Sequence, residues 1–125
     1  MILVDTSVWI DLLRQKPAAF RDEDVLRYAT CGPIVQEVLQ GLRPGFGSEE
    51  FRSRFLALQI LSDPLPLELY LSAADIYRSG RRRGLTIRSS VDCLIAAIAI
   101  RNSVPVWHRD RDYTLISTFT SLETV

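Results

Sequence analysis

One histidine, one methionine, one lysine and two cysteines are all that these 125 residues contain, and each shortage rules something out. Cys31 and Cys93 cannot make a disulfide framework, so buried free thiols in a reducing cytoplasm are expected. No Cys/His cluster offers a zinc site. With His108 as the sole histidine and no nucleophile elbow, a Ser-His-Asp hydrolase is excluded, and His108 itself reads as a partly buried structural residue. The longest unbroken apolar run, Cys93 to Ile100, is too short to span a bilayer. The N-terminus lacks a basic region, and Asp5 and Asp11 interrupt MILVDTSVWIDLL too early for a signal peptide. GLRPGFGSEE has glycines but no Gly-Lys-Ser/Thr, so it is no P-loop. HRDRDYTL lacks the glycine and terminal glutamate of a calcium loop. A cytoplasmic protein with no membrane association is expected.

What is present fits one globular domain spanning residues 1–125. Apolar residues make up 47% and charged residues 24%, ordinary values for a chain that buries a core. The formal net charge is zero but unevenly spread. Residues 1–77 hold 7 basic and 11 acidic side chains, and residues 78–125 hold 8 and 4. Fourteen of the fifteen basic residues are arginine, the better donor for bidentate phosphate contacts. Codon bias in a GC-rich genome would give the same preference, so local charge carries more information than the total.

The apolar run Ile2–Val4 predicts a buried parallel strand, followed by a helix capped by Ser7 and reaching about Arg14. Asp22–Thr30 reads as a helix, with a short strand around Thr30-Cys31. Pro33 opens a helix that runs to Leu42, and GLRPGFG is a loop. Ser48 opens another helix towards Gln59. Leu67, Tyr70, Leu71, Ala74 and Tyr77 follow helical spacing, with Gly84 as the stop. The helix containing Asp92 comes next, then a second buried strand, Val104–Trp107. A turn and short helix at HRDRDY and an edge strand at SLETV close the chain. Helices alternating with a few short strands predict an α/β fold, a three-layer α/β/α sandwich around a small parallel sheet.

Four acids stand at element ends. Asp5 follows the first strand, Asp110 follows the strand Val104–Trp107, and Glu37 lies on the helix beginning at Pro33. Asp92 is the one charged side chain between Val91 and Ile100, a stretch otherwise apolar on every face. Ligands of open α/β sheets bind beyond the carboxyl ends of the strands. Each acid taken alone reads as a helix-terminal charge, a solvated face or a turn former. Gathered in one cleft they would repel, and divalent cations keep such a cluster ionised. Carboxylate ligands suit Mg²⁺ or Mn²⁺. Arg78, Arg81, Arg82, Arg83 and Arg88 fall in a stretch without acids that leads straight to Asp92. That favours a phosphate track over a merely solvated helix end.

VDTSVWID, PIVQEVLQGL, SVDCLIAAIAI and HRDRDY, in that order, resemble the PIN domain, specifically the VapC-type toxins of bacterial toxin–antitoxin pairs. The likeness covers nearly the whole chain. It implies a PIN-like fold and a Mg²⁺-dependent endoribonuclease, with Mn²⁺ as an alternative metal. The implied acidic cluster is Asp5, Glu37, Asp92 and Asp110, with metal on Asp5, Asp92 and Asp110. Thr6 matches the hydroxyl residue after the first acid, and Asp112 is a supporting acid that competes with Asp110 as the nearer ligand. Asp110 is favoured because it is nearer the strand end. Tyr113 stands where the family often has phenylalanine. The resemblance further implies an RNA substrate (tRNA or another structured RNA), a VapB-like antitoxin and a homodimer. Two other readings remain at this point: a non-catalytic RNA- or protein-binding domain on the same fold, and a metal-dependent phosphatase.

Overall fold

The computed structural model describes residues 1–15 and 20–125. Four short parallel strands form the sheet: β1 (Ile2–Val4), β2 (Tyr28–Thr30), β3 (Gln59–Ile60) and β4 (Val106–Trp107), in the order β3-β2-β1-β4. Among the described residues six α-helices flank it: α1 (Thr6–Gln15), α2 (Gly32–Gly41), α3 (Ser48–Leu56), α4 (Leu67–Arg82), α5 (Ser90–Asn102) and α6 (Arg111–Ser117). The sheet and helices form the α/β architecture expected.

Four elements differ from the sequence reading. The segment read as a helix over Asp22–Thr30 is a 3-10 turn at Asp22–Leu26 followed by β2. Asp24 ends the helical tendency by turning its carboxylate back to the Arg21 N–H at 2.9 Å. Tyr28 and Ala29 then pair with Ile2 and Leu3. Likewise α3 stops at Leu56, because Gln59 and Ile60 pair with Ala29 and Thr30 as the outer strand. Sheet pairing overrides local helix propensity at both places. The strand expected over Val104–Trp107 is regular only at Val106–Trp107. The expected strand at SLETV is a single parallel bridge, Val106 to Thr124.

An aromatic cluster centred on Trp9 holds one end of the core. Phe20, Phe55 and Phe51 meet the indole edge-on at centroid distances of 4.9, 5.2 and 5.9 Å, an arrangement the ring quadrupoles favour. The indole N–H donates to the Val4 carbonyl at 3.1 Å, which ties α1 to the end of β1. At the other side α5 packs along α4, burying Cys93 and Ile95 through Ala99. A helix apolar on nearly all faces has this setting as its natural place. At the end of α4, Gly84 adopts φ +75°, and Leu85 donates to the Gly80 carbonyl at 2.9 Å, closing the helix as a glycine-stopped cap.

The chain runs outward from β1 through β2 to β3, then returns to place β4 on the opposite side of β1. The carboxyl ends of β1 and β4 therefore frame the point where the winding reverses. Open parallel sheets place their ligand sites at such a point.

Candidate active site

Asp5 is the residue between β1 and α1. Its N–H donates to the Trp107 carbonyl at 2.9 Å, extending the β1–β4 pairing one step beyond the strand. Its Oδ2 accepts the Ser7 N–H at 3.0 Å and the Ser7 hydroxyl at 2.5 Å. Asp5 therefore caps α1, a role the sequence had assigned to Ser7. The next residue, Thr6, donates its hydroxyl to Glu37 Oε1 at 2.9 Å and so links α1 to the middle of α2.

Asp92 lies in the first turn of α5 and is 8% exposed. An acid there would ordinarily accept backbone N–H groups, but Asp92 accepts none among the described residues. Its Oδ1 lies 3.3 Å from the Tyr113 hydroxyl, and its Oδ2 is buried without a hydrogen-bond partner. Burial pushes the Asp92 carboxyl up to about 9, with the adjoining Asp112 carboxylate and the charges of Asp110 and Asp5 adding to the shift. A buried, half-satisfied carboxylate is costly in the absence of a cation or proton.

The remaining acids come from the start of α6. Asp110 is half-buried and caps that helix, its Oδ1 accepting the Asp112 N–H at 2.9 Å, while its own N–H donates to His108 Nδ1 at 3.2 Å. Asp112 is 1% exposed and spends both oxygens on the segment leading into α5, accepting the Arg88 N–H at 3.1 Å and the Ser89 N–H at 3.0 Å. One oxygen each from Asp92, Asp110 and Asp112 lies within 4.8 Å of the others. Asp5 is joined to this trio through Tyr113, whose hydroxyl donates to Asp5 Oδ1 at 2.7 Å. Glu37 stands apart from the trio, attached through Thr6, and lines a groove of about 490 Å³ that runs between α1, α2 and the Phe46 loop. The donor set is all oxygen, and Asp92 Oδ2 has a free position; both suit a hard divalent cation.

The arginines separate into two groups. Arg88 adjoins the acids through its backbone N–H. Arg81 lies over the Tyr77 ring and Arg83 over Phe119, while Arg82 donates to the Ser79 hydroxyl. Arg78 and these three are exposed at the end of α4. Three contributors went unrecognised in the sequence. Ser7 could have been found from its position two residues after a strand-end acid, an Asx-turn spacing. Arg109 donates its N–H to Ser7 Oγ at 3.0 Å and its guanidinium to Asp11 at 2.6 Å. The link from Tyr113 to Asp5 spans 108 positions and had no local signal.

Acids gathered at the switch point of a small parallel α/β sheet form a group that could hold a metal ion. Residues 2–117 match the PIN domain, and the chain belongs to that family. It is 35% identical to the VapC ribonuclease Mb1587 of Mycobacterium bovis and, equally, to ribonuclease VapC11 of Mycobacterium tuberculosis. Each alignment covers 98% of this chain and 96% of the relative. The fold is shared with the VapBC complex of Salmonella typhimurium bound to DNA, at TM-score 0.71 and 15% identity over 99% of this chain and 96% of that one. VapBC-1 of nontypeable Haemophilus influenzae matches at TM-score 0.68 and 17% identity, covering 100% of this chain and 97% of the other.

Proposed function

We propose that this chain is a metal-dependent endoribonuclease, the toxin of a type II toxin–antitoxin pair, hydrolysing phosphodiester bonds in tRNA or another structured RNA. The observation that supports the chemistry is Asp92 Oδ2, a buried carboxylate oxygen without a partner, on a residue that groups with Asp110 and Asp112. Asp5, Asp92 and Asp110 would hold Mg²⁺, with Mn²⁺ as a substitute. Bound there, the cation supplies Lewis-acid polarisation of the phosphodiester and a lowered pKa for the attacking water. Asp110 is taken as the ligand of its pair, since it is nearer the end of β4 and half-buried, whereas Asp112 is 1% exposed and holds the Arg88 and Ser89 N–H groups. Glu37, held by the Thr6 hydroxyl, adds a further carboxylate to the site from α2. Arg88 meets the substrate phosphate, and Arg78, Arg81, Arg82 and Arg83 extend the track outward.

The relatives are named ribonucleases, which weighs against a small-molecule phosphatase and against a non-catalytic binding domain. A VapB-like antitoxin would occupy the groove that ends at Glu37. A homodimer would bury Leu67, Tyr70 and Leu71, which stand exposed on one side of α4. No helix of the described residues is long and apolar enough to cross a membrane, and the cytoplasm is the proposed location.

The test is to incubate the purified chain with total RNA in Mg²⁺ or EDTA and sequence the new 5′ ends. Discrete ends that require Mg²⁺ and vanish with Asp92→Asn are the expected result. Wild-type cutting by Asp92→Asn would refute the site.

A further inference from the structure

Tyr113 is completely buried, and its hydroxyl oxygen lies within hydrogen-bond distance of two acids on different elements. A phenol has one hydrogen to give. The shorter contact, 2.7 Å to Asp5 Oδ1, takes it, and Asp92 Oδ1 at 3.3 Å faces the same oxygen. Asp5 thus has all its freedom removed: Tyr113 holds Oδ1, and the N–H and hydroxyl of Ser7 hold Oδ2. Phenylalanine in the same place would fill the same space and give Asp5 Oδ1 nothing.

We infer that Tyr113 is a positioning residue for the metal centre, its hydroxyl fixing Asp5 against Asp92 and restricting Asp5 to a single-oxygen ligand. The inference rests on the metal-dependent reading above. Its consequence is selectivity. A carboxylate whose two oxygens already accept hydrogen bonds is poorly placed to chelate with both. Small octahedral cations such as Mg²⁺ and Mn²⁺ need only one oxygen from it, whereas Ca²⁺ readily takes carboxylates in bidentate fashion. The hydroxyl therefore favours the smaller cations, as an outer hydrogen bond to a ligand commonly does.

The experiment compares wild type with Tyr113→Phe by calorimetric titration with Mn²⁺ and Ca²⁺ in the absence of RNA, then by RNA cleavage kinetics at saturating Mn²⁺. Thermal melts in EDTA verify that both proteins are folded. Tyr113→Phe should bind Mn²⁺ about tenfold more weakly, with Ca²⁺ weakened much less, and kcat should fall at unchanged KM. Equal Mn²⁺ affinity in the two proteins overturns the inference and leaves the metal site standing. Equal losses for both cations also overturn it, since that is what general loosening of the core would give. A wild type that binds no Mn²⁺ overturns the metal reading and this inference together.

Discussion

Thr6 donates its hydroxyl to Glu37 Oε1 at 2.9 Å, across 31 positions of sequence. The bond joins the first residue of α1 to the exposed end of the acid cleft, on the side where the groove opens. Thr6→Val keeps the branched shape and removes the donor. A neutral hydrogen bond to a charged acceptor contributes about 1.5–3 kcal/mol, so cleavage should fall about tenfold or more. Thr6→Ser should restore most of it. Single-turnover rates of the three proteins at saturating Mg²⁺ check this; equal rates for Thr6→Val and wild type would remove Thr6 from the site.

Asp92 should make the metal-free protein lose stability as pH rises. Its carboxyl titrates near 9 in the fold, against 3.8 for the unperturbed group. Between these values the folded state holds a proton that the unfolded state has released, so the slope of unfolding free energy against pH is negative. Stability contributed by this group is greatest below about 4 and declines as pH climbs towards 9. Asp92→Asn should flatten that slope and melt higher than wild type in EDTA at pH 8, by an amount on the order of a few kcal/mol. Saturating Mn²⁺ should narrow the gap, adding about 2.7 kcal/mol to wild type at a hundred times the dissociation constant and less to the variant. Melts at pH 5 and pH 8, with EDTA and with Mn²⁺, test all of these signs.

Gly80 sits inside α4 where an added Cβ would lie 2.9 Å from Ile87 Cδ1 and 3.5 Å from Phe119. Alanine gains about 1 kcal/mol of helix propensity, but the contact is closer than carbon atoms pack, so the buried Ile87 side chain must shift. Gly80→Ala should therefore destabilise by about 1–3 kcal/mol, the usual cost of overpacking. Ile87→Val is expected to cost stability alone and to relieve the double variant, so urea melts should show strong non-additivity. Simple additivity would mean that the contact relaxes without strain.

The salt dependence of RNA binding should distinguish the arginines. Replacing Arg88, whose backbone adjoins Asp112, with alanine should lower the slope of log K against log salt by about 0.7, one single-strand phosphate contact. The triple change of Arg81, Arg82 and Arg83 to alanine should lower it further, though by less than three such contacts. Arg81 and Arg83 already lie over rings of their own chain. Catalytically inactive Asp92→Asn as the parent keeps the RNA intact during titration. An unchanged slope in the triple variant would make that run a solvated helix end.

Much of the fold was legible because its signals are local. Ile2-Leu3-Val4 is apolar enough to need burial on both faces, and Asp5 necessarily follows at its carboxyl end. The helix Ser90–Asn102 announces its core position through apolar residues on every side, and one acid in it stands out for that reason. Gly84 reads as a helix stop because its conformation, φ +75°, is one that side chains disfavour. The strands β2 and β3 were not legible in the same way. Tyr28–Thr30 and Gln59–Ile60 are three and two residues long, and a strand that short is defined by its neighbour more than by its own composition.

The candidate site divides along the same line. Residue type and position beside buried strands and helices brought Asp5, Glu37, Asp92 and Asp110 forward as candidates, since a carboxylate in such a place is conspicuous wherever the chain later goes. Their division of labour came from packing. Asp110 and Asp112 are equivalent as letters in HRDRDY, yet the docking of α6 against the start of α5 turns Asp112 onto the Arg88 and Ser89 N–H groups and leaves Asp110 on the open side. Tyr113 looks like a core aromatic from its neighbours. Its hydroxyl reaches Asp5 because β1 and α6, 108 residues apart at the contact, meet beneath the cleft. Burial preference acts on single residues and survives in a sequence, whereas a hydrogen bond needs two groups brought within 3 Å by the whole fold.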